Sequence, residues 1–427
     1  MVHGKSLMKQ ALIITIAAVL YIGCGHDTDV RTAVEKKHSH ESKPEATRIF
    51  PSQGEVETVM EQAMQGSDLP AVVAIAIHQN GESISYAYGK AIWSGEVEVS
   101  PDHLFRIYSM TKLVTSIAAM QLVEQDLVDL DDDLSGLLPE MAKIPILRDG
   151  KLSAAKQNIT LRHLLTHTSG FGYPVTDAEL STFATEGWPH EDFPRRFESG
   201  TSFLYGTSTD WVGKLVEKLS GVSLDVYFKR HIFEPLGMSR TFYNVPDSLK
   251  PLIVSMGDRG DDGKGKLKEL PNRVPEAKTI TFSGGSGLFS TPSDYTKLLK
   301  CMLQFGAGPG EPILNKETVL EMTRNQVGSI SLDPEGRYFD PGMCCNFTGF
   351  MDGDSKWGLA FMIDNNDRPY GRKSGTVLWG GLRNTYFYID YQSGVAACIF
   401  SQQLPFNHIS TTSLFEKFSE LAYRNIR

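Results

Sequence analysis

Cysteine is scarce in this chain, and its spacing is not that of a metal site. There are five cysteines in 427 residues, and they do not form two separated C-x-x-C pairs or lie beside a histidine cluster: Cys24, Cys301, Cys344, Cys345 and Cys398. This spacing excludes a small disulfide scaffold and predicts no zinc or other metal site. A disulfide between two of the last four remains open for an exported chain.

Basic blocks, phosphate-binding loops and internal repeats are also missing. The chain has 42 lysines and arginines against 51 acidic residues, a net charge of -9. Nothing in this balance favours binding to nucleic acid. With 41% apolar content, the chain is long enough for two globular units or for one large domain that carries an insertion.

The only long apolar run lies near the start, where Lys5 and Lys9 precede residues 11–22. This run is shorter than the roughly 20 residues that span a bilayer, so residues 1–23 are predicted to be a signal peptide. Its end, at Gly23-Cys24, resembles a bacterial lipoprotein signal, although Tyr21 stands where such signals usually carry leucine. The resemblance implies a lipidated Cys24.

The polar residues 24–50 are then predicted to be a disordered tether that holds a folded domain at a membrane. The chain is expected to be exported and membrane-anchored, facing a periplasm. The alternative is that an ordinary signal peptide is cleaved and that the protein is secreted in soluble form.

The remaining chain predicts strands near both ends and helices between them. The predicted strands are residues 71–77, 83–88, 357–363, 384–389 and 395–400, and the predicted helices are 56–64, 161–165, 211–219, 224–232, 292–305 and 412–424. Asn80-Gly81 between the first two strands is a strong hairpin signal. The pattern predicts an α+β fold in which one antiparallel sheet is built from both chain ends.

Ser109 and Lys112 stand three residues apart at the start of an apolar stretch with helical spacing, residues 113–123. A serine there can act as a nucleophile if a base takes its proton, and Lys112 can do so if burial lowers its pKa. The S-x-x-K pattern also occurs at Ser6 and Ser153, but neither opens an apolar helix. The alternative for Ser109 is an ordinary helix cap.

Two later segments supply partners for this pair. Tyr205 precedes a predicted helix and carries a phenol that can relay a proton to a leaving group. Trp379-Gly380-Gly381 precedes a predicted strand, where glycines allow a backbone N–H to approach a ligand. The alternative for Tyr205 is a structural tyrosine at a domain boundary. The alternative for the two glycines is a simple turn.

Together these segments resemble the serine β-lactamase and penicillin-binding-protein superfamily, and more closely its esterase branch, which is related to class C β-lactamases. The resemblance covers roughly residues 55–425 and rests on three motifs in the family's order: Ser109-Met110-Thr111-Lys112, Tyr205-Gly206-Thr207 and Trp379-Gly380-Gly381. Connecting stretches such as residues 159–170 and 284–291 are also family-like.

The resemblance implies that Ser109 forms an acyl-enzyme, that Lys112 and Tyr205 share the acid and base work, and that the backbone N–H groups of Ser109 and Leu382 form the oxyanion hole. It implies no cofactor. The implied fold is an antiparallel sheet flanked by helices, in a catalytic domain of residues 51–427. The sheet part comprises about residues 51–105 and 280–427, and the inserted helical part about 106–279.

This chain departs from class C enzymes at Thr207 and Trp379, where they usually have asparagine and lysine. The lysine normally pairs with a substrate carboxylate, so its absence favours small esters or amides over β-lactams. Lys373-Ser374-Gly375 is an alternative third motif that would restore the lysine. One alternative function is that of a β-lactamase or D-amino-acid peptidase acting on cell-wall-like substrates. The other is a catalytically silent module that binds peptidoglycan or a partner.

Other polar residues are expected to be structural or solvated, namely His163, His167, Ser286 and Asp129–Asp133. Residues 172–193 and 325–354 are expected to form the loops that select the substrate.

Overall fold

Strands from the two ends of the chain meet in one antiparallel sheet. The computed structural model describes residues 48–183, 188, 190–332, 340–344, 351 and 353–426. The predicted signal peptide, Cys24 and most of the predicted tether lie outside the described residues, as does Cys345. The unit that begins at Arg48 is compact.

The α-helices and β-strands of the described residues vary widely in length. The helices are α1 Gln53–Met64, α2 Thr111–Glu124, α3 Pro139–Ala142, α4 Leu161–Leu165, α5 Ala178–Thr182, α6 Ser208–Ser220, α7 Leu224–Phe228, α8 Glu234–Leu236, α9 Pro292–Leu303, α10 Lys316–Met322 and α11 Ile409–Tyr423. The strands are β1 Ala71–His78, β2 Ser83–Gly89, β3 Phe105–Arg106, β4 Ile146–Arg148, β5 Lys151–Ser153, β6 Gly257–Asp258, β7 Lys268–Glu269, β8 Phe289–Ser290, β9 Lys356–Trp357, β10 Met362–Ile363, β11 Val377–Gly381, β12 Thr385–Asp390 and β13 Val395–Phe400.

The main sheet has seven strands in the order β2-β1-β13-β12-β11-β10-β9, and neighbouring strands are antiparallel. Val73 of β1 lies opposite Phe400 of β13, which joins the two chain ends. The predicted α+β sheet assembled from both termini is therefore confirmed. Among the described residues, no helix is both long and apolar enough to cross a membrane.

Helices cover both faces of the sheet. On one face α11 packs its Phe415 against Tyr388 of β12, and α1 packs against α11. On the other face α9 places Tyr295 against Phe387, the neighbouring residue of β12. Alternate residues of β12 thus face opposite layers, as the pleat of a strand requires. Helix α2 is almost wholly buried and packs against α6 and α7.

The first helix begins earlier than predicted, because Ser52 caps it. The Ser52 side chain accepts from the Glu55 backbone N–H while the Glu55 carboxylate accepts from the Ser52 backbone, a reciprocal capping box. Phe50 is buried, and its N–H binds the Glu82 carboxylate. Residues 48–50, predicted to be the end of the tether, therefore belong to the folded unit.

The predicted strand 357–363 is wrong as a single element. It is two short strands, β9 and β10, that pair with each other around a tight turn. The Gly358 N–H donates to the Phe361 carbonyl, and the Leu359 N–H donates to the Met322 carbonyl. These bonds turn the chain back, so a continuous apolar run does not make a continuous strand here. The predicted helix 224–232 likewise ends early, at Phe228, and continues as a π-helical turn, Lys229–Phe233.

Candidate active site

Ser109 lies in a 3₁₀ turn, Tyr108–Met110, that leads directly into α2. Tyr108, the residue before it, has a φ of 44°, a conformation that residues with a side chain rarely adopt. The Arg383 guanidinium donates a 3.0 Å hydrogen bond to the Tyr108 hydroxyl and also pairs with Asp258. These contacts hold the strained turn, which directs the chain sharply into the helix at Ser109.

Lys112 lies one turn further along, with only 2% of its surface exposed. Its Nζ donates to Ser109 Oγ at 3.2 Å, to the Tyr173 hydroxyl at 3.2 Å and to the Gly285 carbonyl at 2.9 Å. An ammonium has three N–H donors, and each of them has an acceptor in this arrangement. The ammonium also lies 4.8 Å from the centre of the Tyr205 ring, within cation–π distance.

The charge state of Lys112 differs from the sequence-based expectation. Burial lowers the pKa of Lys112, but the nearby oxygens of Tyr173 and Tyr205 and the Asp210 carboxylate outweigh burial, so the pKa lies above its ordinary value of 10.5. The net fall in pKa that would let Lys112 act as the base is therefore absent. Lys112 is a cation in the free enzyme, and its hydrogen bond to Ser109 favours the deprotonated serine oxygen.

Tyr205 lies just before α6, as predicted, in a group of aromatic side chains. Trp379 of β11 donates its indole N–H to the Tyr205 hydroxyl at 3.0 Å. His167 and Trp357 pack against the same phenol ring, with ring centres 4.6 Å and 6.1 Å away. The structure therefore brings Tyr205 and Trp379, which are 174 residues apart, into direct contact. Their catalytic roles stay a prediction.

The paired glycines of β11 allow the strand to approach the nucleophile turn. A Cβ atom on Gly381 would collide with the carbonyl oxygen of Ile107, two residues before Ser109. A Cβ atom on Gly380 would lie 2.9 Å from the Thr385 carbonyl oxygen. The two glycines thus permit close backbone packing here, and the approach of a backbone N–H to a ligand stays a prediction. Leu382 follows in the turn after β11 and lines the same cavity as Ser109. The oxyanion hole formed by these two residues stays a prediction.

Three residues at the site were not identified from the sequence. Tyr173 binds Lys112 through its hydroxyl, and burial raises the pKa of this phenol. Gly285 supplies a carbonyl to Lys112, and Asp210 accepts from the Gly285 N–H at 3.1 Å. The sequence signals were the predicted substrate loop 172–193, which contains Tyr173, and the family-like stretch of residues 284–291, which contains Gly285. Spacing along the chain does not show that these segments meet.

The other sequence candidates differ in where they lie: His167 is buried, Lys373 is on the surface and Ser286 lines the cavity. His167 is 1% exposed, and burial followed by the nearby Lys112 charge lowers its pKa well below the ordinary value, so it is neutral. Lys373 pairs with Asp367 at 3.0 Å on the surface and does not line the cavity. Ser286 lines the cavity at a backbone turn. Among the described residues, no cluster of three or more His, Cys, Asp or Glu side chains could hold a metal ion.

The site opens into a cavity of about 560 Å³. Its described lining is largely aromatic and apolar, and both predicted substrate loops contribute to it: Tyr108, Ser109, Tyr173, Pro174, Val175, Thr176, Ser181, His190, Tyr205, Ser286, Asp340, Met343, Cys344, Trp379, Gly380, Leu382 and Phe406. None of these described lining residues is a lysine or an arginine. The cavity is of a size that holds a small organic ligand.

Known proteins resemble this chain over most of its length. Residues 56–413 match the family model described as Beta-lactamase. The acyltransferase calJ of Penicillium decumbens is 30% identical over 351 residues, which cover 76% of this chain and 81% of that protein. A lovastatin esterase of Penicillium rubens is 27% identical over 377 residues, covering 80% and 90%.

A solved structure shows the same fold. A mutant of simvastatin synthase (LovD) from Aspergillus terreus superimposes with a TM-score of 0.76 at 28% identity, covering 87% of this chain and 94% of that one. The relatives include esterases and acyltransferases, and the resemblance inferred from the three motifs is confirmed. This chain belongs to the Beta-lactamase family and is an enzyme of the serine-hydrolase type.

Proposed function

We propose that the enzyme cleaves small esters or amides through a covalent acyl-enzyme on Ser109. The observation that carries the proposal is the 3.2 Å hydrogen bond from the Lys112 ammonium to Ser109 Oγ at the wall of the cavity. A serine hydroxyl held by a buried cation is a better nucleophile, because the cation stabilises negative charge as it develops on the oxygen.

In the first step, Ser109 Oγ bonds to the carbonyl carbon of the substrate and the bond to the leaving group breaks. Lys112 is already protonated and cannot accept the serine proton. Tyr205 takes that proton and gives its own phenol proton to the leaving alkoxide, so no net charge is left behind. The Ser109 and Leu382 N–H groups bind the oxyanion, where each such donor typically contributes about a hundredfold or more in rate.

In the second step, water attacks the acyl-enzyme carbonyl. Its proton returns through Tyr205 to Ser109 Oγ, and the acid is released. The same acyl-enzyme can instead pass its acyl group to an alcohol. The apolar cavity of about 560 Å³ favours this second candidate function, because it has room for an acceptor beside the acyl group. Relatives named as acyltransferases support the same candidate.

Esters are favoured over β-lactams and peptides with a free carboxylate. The described cavity lining has no lysine or arginine to pair with such a group, and Asp340 adds a negative charge. Trp379 occupies the third-motif position, where its indole binds Tyr205 rather than a substrate acid. The alternative of a catalytically silent binding module is disfavoured, because the family relatives are enzymes.

The test is turnover of p-nitrophenyl acetate and butyrate beside nitrocefin, with wild type and a Ser109→Ala variant. Ester hydrolysis should fall at least about a thousandfold in the variant, because no other residue forms the acyl bond. Nitrocefin should be turned over poorly by both proteins. Rapid nitrocefin hydrolysis would favour the β-lactamase alternative, and ester hydrolysis that survives in the variant would assign the nucleophile elsewhere.

We also propose that the chain is exported and anchored through a lipid on Cys24. The basic residues and short apolar run before Cys24 support this placement. Metabolic labelling with a radioactive fatty acid should label the wild-type protein and not a Cys24→Ala variant. Equal labelling of the two proteins would contradict it.

A further inference from the structure

A turn that carries no reacting group delivers the third acceptor to Lys112. In this turn, residues 283–286, the Gly285 carbonyl accepts from Lys112 Nζ at 2.9 Å. The preceding carbonyl, that of Gly284, accepts from the Thr115 hydroxyl of α2 at 2.6 Å. The two consecutive carbonyls therefore both bind α2, the helix that carries Lys112. The orientation of this turn decides whether Lys112 keeps its place beside Ser109.

Asp210, at the start of α6, holds the turn from the other side. Its carboxylate accepts from the Ser283 hydroxyl and, at 3.1 Å, from the Gly285 N–H. The Ser283 oxygen in turn accepts from the Ser286 N–H at 3.0 Å. A Cβ atom on Gly285 would lie 2.5 Å from the carboxylate, so only glycine permits this approach. The Asp210 carboxylate thus holds both the Gly285 peptide N–H and the Ser283 hydroxyl of the turn.

The charges around Lys112 make this carboxylate important. The groups that face the ammonium are the Ser109 hydroxyl, the Tyr173 and Tyr205 phenols, the Gly285 carbonyl and the neutral His167 ring, which are all uncharged. Among the described residues, no carboxylate lies within ion-pair distance of Lys112. Asp210, joined to it through the Gly285 peptide, is the carboxylate that acts on its charge. A buried ammonium without a counter-charge would be unfavourable.

We propose that Asp210 is a positioning residue of this active site, which fixes the Gly285 carbonyl on Lys112 and supplies the negative charge that keeps Lys112 a cation. Its role has two separable parts, hydrogen bonding to the turn and charge. The inference rests on the proposed function, in which the Lys112 cation assists Ser109. It adds a residue that touches neither the substrate nor the nucleophile.

Asp210→Asn separates the two parts, since an asparagine oxygen can still accept from Ser283 and Gly285 but carries no charge. The experiment measures kcat/KM for p-nitrophenyl butyrate from about pH 6 to about pH 10, with the full chain. Lys112 is needed as a cation, so activity is lost as pH rises through its pKa. This pKa lies above 10.5 in the wild type, whose profile should therefore show no such loss up to about pH 10. Without the Asp210 charge the loss should move into the measured range, and kcat should fall about tenfold at neutral pH with little change in KM.

Glu217→Gln is the matched control on the same helix. The Glu217 carboxylate also accepts from a backbone N–H, that of Leu224 at 2.8 Å, but it does not act on Lys112. Its pH profile should be that of wild type. Ser283→Ala is the second variant, which removes one hydrogen bond and keeps the charge. It should lower kcat without moving the alkaline loss.

The outcomes distinguish the inference from the function on which it rests. An Asp210→Asn profile that matches wild type and Glu217→Gln would overturn the role of the charge. Reduced activity without an alkaline loss up to about pH 10 would do the same, because a merely structural residue behaves in that way. If Asp210→Asn does not fold, unchanged kcat in Ser283→Ala would overturn the positioning role. Activity that survives in Ser109→Ala would instead refute the proposed function itself.

Discussion

Two buried charge clusters in this protein are built in opposite ways. Asp364, which follows β10 and is fully buried, pairs directly with both Arg368 and Arg372. Lys112 is equally buried, but uncharged oxygens surround it, and its carboxylate is reached only through the Gly285 peptide. In the first cluster the carboxylate contacts its cations directly. In the second, the Lys112 ammonium donates a hydrogen bond to the Ser109 oxygen.

The difference separates a structural ion cluster from a reactive one. In the Asp364 cluster the carboxylate and the two guanidinium groups contact each other directly, and the Arg372 guanidinium also lies 5.2 Å from the centre of the Tyr388 ring. A carboxylate in direct contact with Lys112 would in the same way compete with the Ser109 oxygen for its N–H groups. Because Asp210 acts through the Gly285 peptide, Lys112 stays a cation and keeps one N–H donor for Ser109. Variants in each cluster should therefore have opposite effects on activity and stability.

The largest effect is expected for Lys112→Met, which replaces the buried cation with an apolar side chain of similar length. Without the charge and the donor to Ser109, kcat/KM for p-nitrophenyl butyrate should fall about a thousandfold. The thermal midpoint should not fall, because removing a buried charge that has no direct ion pair relieves its desolvation cost. A variant that loses stability but keeps its activity would reverse the comparison.

Asp364→Asn should lower stability and leave activity nearly unchanged. It leaves the buried Arg372 and the partly buried Arg368 without their carboxylate, which should lower the free energy of unfolding by about 3 to 5 kcal/mol. Urea denaturation measures this loss, and kcat/KM of the folded protein should stay within about twofold of wild type because Asp364 does not line the cavity. A large fall in activity at unchanged stability would place Asp364 in the reactive cluster.

The smallest effects concern the two candidates for the third motif. Trp379→Phe keeps an aromatic ring but removes the indole donor to Tyr205, so kcat should fall about tenfold, the typical value of one hydrogen bond. Lys373→Met removes the alternative lysine, whose ammonium pairs with Asp367 on the surface, and should leave activity unchanged. Ester turnover that depends on Lys373 and not on Trp379 would reverse this assignment.

Local features of the sequence predicted much of this molecule. The spacing of Ser109 and Lys112 places them on one helix face because a helix turn is a local structure. The two last strands, β12 and β13, were predicted within a residue of their observed bounds. The capping box at Ser52 also lies in the sequence, although the predicted start of α1 came four residues after it.

Tertiary contacts account for what was not predicted. Tyr173 and Asp210 reach Lys112 only because distant segments pack around α2, and neither residue stands at a revealing spacing from it. The break between β9 and β10 depends on the Leu359 N–H finding the Met322 carbonyl, which is a contact between segments. The rise in the pKa of Lys112 has the same origin, since burial alone would lower it.

The central claim is that a covalent acyl-enzyme forms on Ser109. The most direct measurement is mass spectrometry of the intact protein after brief mixing with p-nitrophenyl butyrate and acid quenching, followed by digestion to locate the adduct. The account predicts a butyryl adduct on the peptide that contains Ser109 in the wild type, and none in Ser109→Ala. An adduct on another residue, or the same adduct in the variant, would contradict it.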